Sequence, residues 1–165
     1  MPTHLGQDVK DHVTLVAGEH PDDNSCDTLS FKNKALFRVS SDGKVEGKPF
    51  NVPKGRLLVV TDVEWSAYGG PNGTNNLEPN RTLTLTIHVG NAAQIQDNPA
   101  VFMSSLTLDQ AAAAGRPGKS EYLTAGFLVG AGRRICPNVS QLEPQFIAIV
   151  FIDRLILRGY LIDTK

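Results

Sequence analysis

Hydrophobic and polar residues alternate with a period of two along most of this chain. The segment 81–89 shows the pattern most clearly, because one of its faces is apolar and the other carries mostly threonine. The apolar residues of this segment are Leu83, Leu85, Ile87 and Val89. Successive side chains of a strand point to opposite faces, so the alternation predicts an antiparallel strand with one buried face.

Three further segments alternate in the same way. Residues 57–65 have an apolar face that ends at a tryptophan, which we expect in the core. Residues 31–39 alternate before the dipeptide Asp42-Gly43, and residues 123–129 alternate before a glycine-rich stretch. Asp-Gly is a strong signal for a two-residue hairpin turn. We therefore predict strands in all three segments and a hairpin after the second.

The segment 146–162 differs because it is apolar on both faces, apart from a few charged residues and one glycine. A strand buried on both faces gives a near-continuous hydrophobic run rather than alternation. We therefore predict a central strand that is covered on both sides, and another chain is one candidate for the cover.

The fold prediction is all-β, with a two-sheet antiparallel sandwich of jelly-roll type and about eight strands. Only residues 109–114 have a helical pattern, with Asp109 as N-cap and Gly115 as stop, so we expect at most one short helix there. A length of 165 residues suits one domain. We divide the chain into an N-terminal segment, 1–27, and a β-sandwich domain, 28–165.

Charge separates the start of the chain from the rest. Residues 1–30 hold six acidic residues and one lysine, a net charge of -5, whereas the whole chain has -1, so the remainder has +4. We expect an acidic arm that lies against the basic body or a neighbouring subunit, or else a solvated leader segment. The overall balance argues against a nucleic-acid partner. The longest apolar stretch, 146–152, is far shorter than the ~20 residues of a membrane-spanning helix, so we expect no membrane insertion.

The chain has two cysteines, Cys26 and Cys136. Isolated cysteines without a motif are more often free thiols, and free thiols are our expectation. A bridge between them would close a loop of about 110 residues and stabilise the fold by about 4–5 kcal/mol. The N-terminus lacks the pattern of a signal peptide. Sequons at Asn72, Asn80 and Asn138 slightly favour an extracellular or virion-associated location over a cytoplasmic one.

Two acidic residues on one predicted strand are the best candidates for catalysis. Asp62 and Glu64 lie two residues apart, roughly 7 Å along a strand, which suits the carboxylate pair of an inverting glycosidase. If strand 56–66 paired with strand 81–89, His88 would join them as a third metal ligand. The simpler interpretation is a solvent-facing strand with its charges outside. We expect no catalytic residue, no metal site and no cofactor.

Two loops carry residue types that bind ions. The loop 22–27 is rich in the oxygen donors that calcium prefers, but such loops are also common turns. The stretch 130–134 is a glycine-containing turn that ends in Arg133 and Arg134. It begins like a phosphate loop, but no helix follows it to hold phosphate. Its two arginines can still hold a carboxylate or a sulfate.

The long loop 66–80 is rich in side-chain amides. Long loops within compact domains are usually functional or disordered. Aromatic rings contact the CH groups of sugars and amides bond to their hydroxyls, so the loop is a candidate for glycan binding. The candidate ligand-binding residues are Tyr68, Asn72, Asn75 and Asn76.

The end of the chain carries the candidate interface. The segment Leu157–Ile162 resembles the last strand of the TNF/C1q-type jelly rolls, which form trimers, and this resemblance implies architecture only. Arg154, Arg158 and Tyr160 are our candidate interface residues. A buried charge without a partner costs several kcal/mol. The acids available as partners include Asp153, Asp163 and those of residues 8–27. We therefore predict that at least one of the two arginines pairs with an acid, from the N-terminal arm or from a neighbouring subunit.

The surplus of apolar surface leads to our first functional hypothesis, a non-enzymatic interaction or structural module that works as a homo-oligomer, most simply a trimer. Shell, appendage and surface-binding proteins are of this kind. The alternative is a carbohydrate-binding module that uses the loop 66–80. A second alternative is a metal- or carboxylate-dependent hydrolase that uses Asp62, Glu64 and His88. The expected partners are copies of this chain, with a glycan or protein ligand as an option.

Overall fold

The computed structural model describes residues 11–19, 26, 28, 30–69, 77, 79–91, 97–109, 115–141 and 150–164. These residues form nine strands and no α-helix. Residues 110–114 of the predicted short helix lie outside the described residues. The strands are β1 (His12–Glu19), β2 (Lys34–Val39), β3 (Val45–Pro49), β4 (Arg56–Gly69), β5 (Thr82–Gly90), β6 (Ala100–Thr107), β7 (Gly118–Gly130), β8 (Arg134–Gln141) and β9 (Val150–Asp163).

The strands form two antiparallel sheets, which confirms the predicted all-β sandwich. One sheet has six strands in the order β3-β2-β1-β9-β4-β7, and the other has three in the order β6-β5-β8. The predicted hairpin at Asp42-Gly43 joins β2 to β3, where Gly43 has a φ of +83° and donates its N–H to the carbonyl of Ser40 at 2.9 Å. The strand at the end of the chain, β9, is central, as predicted, between β1 and β4.

The strand pairs are nested in the manner of a jelly roll. β1 pairs with β9, β4 with β7, and β5 with β6, while β4–β9 and β5–β8 link these pairs across the fold. Two Greek keys wound between two sheets give this order. In a jelly roll a further strand would pair with the edge of β8 that faces away from β5, and none of the described strands does so. β2 and β3 instead extend the large sheet beyond β1.

A short segment before β2 takes the place beside β8, and it corrects our expectation of free thiols. Cys26 and Cys136 form a disulfide with their Cα atoms 5.2 Å apart. The Ser30 hydroxyl donates to Asn138 Oδ1 at 2.8 Å and accepts the N–H of Val139 at 2.9 Å. The carbonyl of Ser30 also accepts the N–H of Ile152, on β9, at 2.9 Å. The segment therefore ties the two sheets together, which brings cysteines 110 residues apart into contact.

The core lies between the two sheets. β5 contributes the predicted apolar face, and the side chains of Leu83, Leu85 and Ile87 are fully buried. Trp65 is buried as expected, and its indole N–H donates to the hydroxyl of Ser104 on the opposite sheet at 3.0 Å. A buried indole N–H needs such a partner. This bond therefore fixes the Trp65 ring in the interior.

The predicted N-terminal segment 1–27 contributes a strand to the large sheet. β1 lies between β2 and β9. Just before it, the carboxylate of Asp11 pairs with the guanidinium of Arg56 at 2.7 Å. One acidic residue of the segment therefore lies against a basic residue of the body.

Candidate functional site

The face of the six-stranded sheet that points away from the three-stranded sheet is the candidate site, and we call it the outer face. Paired residues of antiparallel strands lie on the same face, so the register places the outer side chains in rows. From one end to the other, the rows across β9, β4 and β7 are Ile162 and Leu57; Tyr160, Val59 and Leu128; Arg158, Asp62 and Tyr122; Ile156, Glu64 and Ser120; Arg154 and Ser66; and Phe151 and Tyr68.

Bulges in the strands determine which residues reach the outer face. In β4 the register shifts between Val60 and Asp62, and in β9 it shifts opposite Ser66 and Ala67. An extra residue in a strand reverses the alternation that follows it. The second bulge turns Ile152 into the core, where it is fully buried, so Ile152 does not share a face with Arg154 and Arg158.

Four charged side chains at the centre of the outer face form what we call the charge network. The guanidinium of Arg158 donates to Asp62 Oδ1 at 2.6 Å and to Glu64 Oε2 at 3.0 Å, and Arg154 pairs with the other oxygen of Glu64. Hydrogen bonds between two charged groups are stronger than neutral hydrogen bonds. The hydrogen bond to Glu64, followed by that to Asp62, raises the pKa of the Arg158 guanidinium above its ordinary value.

The charge network confirms that at least one arginine pairs with an acidic side chain, with partners that differ from those expected. Both arginines pair with residues of β4, the neighbouring strand, rather than with the N-terminal segment, Asp153 or Asp163. The expectation that Asp62 faces solvent is also wrong, since only 7% of its side chain is exposed. Its burial follows from the guanidinium of Arg158, which lies across it.

One end of the outer face is apolar, and we call it the apolar end. Its residues are Leu57, Val59, Tyr122, Leu128, Tyr160 and Ile162. Tyr122 is 85% exposed, Leu128 55% and Ile162 37%. Of the five exposed large hydrophobic residues among those described, these three lie on this one face. Large contiguous apolar surface on a folded protein usually marks an interface.

The opposite end of the outer face carries the predicted sugar-binding tyrosine. The Tyr68 ring stacks on that of Phe151 with the centroids 5.4 Å apart, and the guanidinium of Arg116 lies 5.8 Å from the Tyr68 centroid. Arg116 is in turn held by Asp153 at 2.5 Å. These contacts use ring surface that a sugar would need. The other three candidate ligand-binding residues, Asn72, Asn75 and Asn76, lie outside the described residues.

The cluster proposed for a metal-dependent hydrolase does not form. β4 pairs with β7 and β9, whereas β5 belongs to the other sheet, so His88 is not brought to Asp62 and Glu64. The Nδ1 atom of His88 lies 2.9 Å from the carbonyl oxygen of Asn98. The described part of the chain holds no group of three or more histidine, cysteine or acidic residues placed to bind a metal. Of the calcium-loop candidate 22–27, only Cys26 is described.

All three predicted interface residues lie on the outer face, together with two large residues that the alternation did not predict there. Tyr122 and Leu128 lie at the positions of β7 that alternate with its buried apolar residues, opposite Asp62 and Val59. Large apolar side chains on the polar side of an alternating strand are the signal in the sequence that indicates a second apolar surface. Their proximity to Tyr160 depends on the pairing of three strands, which alternation within one strand does not reveal.

No protein-family model, no curated protein and no solved structure matches this chain. Across the described ranges, no helix is long and apolar enough to cross a membrane. The surfaces of the chain itself are therefore the basis for a functional inference.

Proposed function

We propose that this protein is a non-enzymatic structural module that assembles with copies of itself through the outer face. The observation that carries the proposal is the exposed apolar end, formed by side chains of β4, β7 and β9. Water contacts Tyr122, Leu128 and Ile162 in the single chain, and a second copy would remove them from water at a gain of about 25 cal/mol per Å² of apolar surface.

The outer face is large enough for a stable interface. Strands lie about 4.8 Å apart and rise about 3.3 Å per residue, so the 49 residues of β1, β9, β4 and β7 span about 780 Å². A standard protein interface buries about 800 Å² on each partner. The dimensions of the face therefore support assembly without any additional segment.

The charge network is compatible with burial in such an interface. It contains two acids and two arginines, and each charge has a partner within the same chain. Burying an ion whose partner is in place avoids the large cost of an isolated charge. Tyrosine and arginine are also the residue types that interfaces favour, and Tyr122, Tyr160 and Arg158 lie in two neighbouring rows of this face.

The state of assembly and the location follow the same reasoning. Tyr160 and Ile162 lie at the apolar end, so the proposed assembly, most simply a trimer, would bury both side chains. A disulfide persists in oxidising surroundings. The Cys26–Cys136 bridge therefore supports an extracellular or particle-surface module.

The test compares two single substitutions of exposed hydrophobic residues on opposite sheets. Leu128→Lys places a charge at the apolar end, whereas Met103→Lys places one on β6, in the three-stranded sheet. We expect sedimentation velocity at micromolar concentration to show an oligomer for the parent and for Met103→Lys, and a monomer for Leu128→Lys. A monomeric parent, or equal effects of the two substitutions, would overturn the proposal.

A further inference from the structure

A cavity lies beside the position that the missing jelly-roll strand would occupy next to β8. Its volume is about 240 Å³, and its walls come from β2, from the chain just after β3, and from the turn that leads into β8. The turn is the one predicted from the sequence, since Arg133 donates its N–H to the carbonyl of Gly130 at 3.1 Å and Gly132 has a φ of +73°. The β2–β3 hairpin belongs to the six-stranded sheet and does not pair with β8. A recess therefore lies beside β8, where another strand would have continued the three-stranded sheet.

The floor of the cavity is apolar. It is lined by the buried side chains of Phe31, Leu36, Val52 and Ile135 and by Phe50. Side chains of this kind favour a ligand that can give up its hydration. An inorganic anion alone would not use this part of the cavity.

The remaining wall is basic. Lys34, Arg133 and Arg134 line the cavity, and no acidic residue lies among its described lining residues. The hydrogen bonds that the structure shows for two of these cations go to uncharged oxygens. Lys34 Nζ donates to the carbonyl of Ile152 at 2.8 Å, and Arg133 Nη1 donates to the side-chain oxygen of Asn91 at 2.7 Å. Lys34 and Arg133 therefore place two positive charges at the recess, and these attract an anion.

We propose that this cavity, which we call the basic cavity, binds a small carboxylate with an apolar body about the size of an aromatic acid. An apolar cavity of about 150 Å³ accommodates benzene. The larger volume here has room for a ring on the floor and a carboxylate at the basic wall. Guanidinium groups bind carboxylates through two parallel hydrogen bonds, so Arg133 can fix the orientation of the acid.

The binding test uses benzoate as the probe, with benzamide and sulfate as comparison ligands. Benzamide has the same shape without the charge, and sulfate has the charge without the apolar ring. We expect amide chemical shifts of the folded protein to report saturable binding of benzoate at millimolar concentrations or below. Benzamide and sulfate should each bind about tenfold more weakly, because each loses one half of the recognition. Absent benzoate binding, or sulfate binding as tight as benzoate binding, overturns the proposal.

Substitutions place the binding event in the basic cavity. Arg133→Gln and Lys34→Gln each remove one positive charge, and Lys44→Gln does the same on the exposed β2–β3 turn, away from the cavity. We expect the first two to weaken benzoate binding about tenfold and the third to leave it unchanged, with cooperative thermal unfolding showing that all three variants fold. Equal benzoate affinity in all three variants overturns the assignment to this cavity. The outer face takes no part in it, so this result is independent of the proposed assembly.

Discussion

The substitution Arg158→Ala tests whether the charge network stabilises the fold. It removes the guanidinium that bonds to both Asp62 and Glu64. Glu64 keeps a partner in Arg154, but the buried carboxylate of Asp62 loses the one cation with which it forms a salt bridge among the described residues. An uncompensated buried charge is destabilising, so Asp62 is the source of the expected effect.

The size of the effect follows from exposure. Removing one partner of a fully buried ion pair costs about 3–5 kcal/mol, and an exposed pair contributes less than about 1 kcal/mol. The side chain of Arg158 is 43% exposed while that of Asp62 is 7% exposed, so water reaches one partner and hardly reaches the other. We therefore expect a loss of about 2–3 kcal/mol. For a domain of this length that loss lowers Tm by about 5–10 °C.

The matched control is Arg154→Ala. Arg154 is exposed, and its partner Glu64 still has Arg158, so we expect a loss of less than about 1 kcal/mol. Lys119→Ala is unsuitable as a neutral control. Lys119 lies in β7 and pairs with Glu121 at 2.6 Å, so its replacement would break an ion pair.

Urea and thermal unfolding of the two variants provide the assay. Measuring Tm at several protein concentrations separates the loss of assembly from a loss of stability within one chain. Replacing Asp62 by Asn in the Arg158→Ala background should recover part of the lost stability, because it removes the buried charge. Equal small effects of the two arginine substitutions, or no recovery with Asn, would show that the network does not stabilise the fold.

Two further predictions concern the links between the sheets. Replacing Cys26 and Cys136 together by serine should lower the free energy of unfolding by about 4–5 kcal/mol, because the bridge closes a loop with a separation of 110 residues. Urea titration measures this loss, and an unchanged unfolding midpoint would contradict the prediction. Hydrogen bonds from Lys119 and then Ser104 hold the pKa of Glu121 below its ordinary 4.5. Ionised Glu121 therefore stabilises the fold fully above pH 4.5, and this stabilisation is lost as the pH falls through the lowered pKa. Glu121→Gln should therefore lose less stability than the parent below about pH 4.5 in acid titrations, and parallel curves would refute this.

The elements that the sequence predicted are those with a local cause. The alternation of β5 needs only the period of a strand and one buried face, and the structure buries its odd-numbered leucines. The hairpin after β2 depends on one glycine at a positive φ, and Gly43 has it. The alternation of apolar residues before Trp65 likewise predicted that this residue lies in the core, and the structure buries it. Neither strand spacing nor sheet order is needed for these predictions.

The features that the sequence did not predict depend on contacts between distant residues. The bulges next to Asp62 and opposite Ser66 shift the phase of two strands, and periodicity alone does not show which residue is the extra one. The burial of Asp62 also required its pairing with Arg158, 96 residues further along the chain. Alternation within β4 therefore predicted that the Asp62 carboxylate is exposed to solvent, although the guanidinium of Arg158 on the neighbouring strand covers it.

The disulfide, the basic cavity and the wide outer face share one structural cause. The nested strand pairs require a partner for β8, but the chain leaves that place after a short contact at Cys26 and Ser30 and adds β2 and β3 to the other sheet. The bridge replaces the ladder of hydrogen bonds that a full strand would supply along β8. The unfilled space becomes the cavity, and the added strands make the large sheet twice as wide as the small one. The added strands widen the outer face beyond β1, β9, β4 and β7, the strands that the proposed assembly uses.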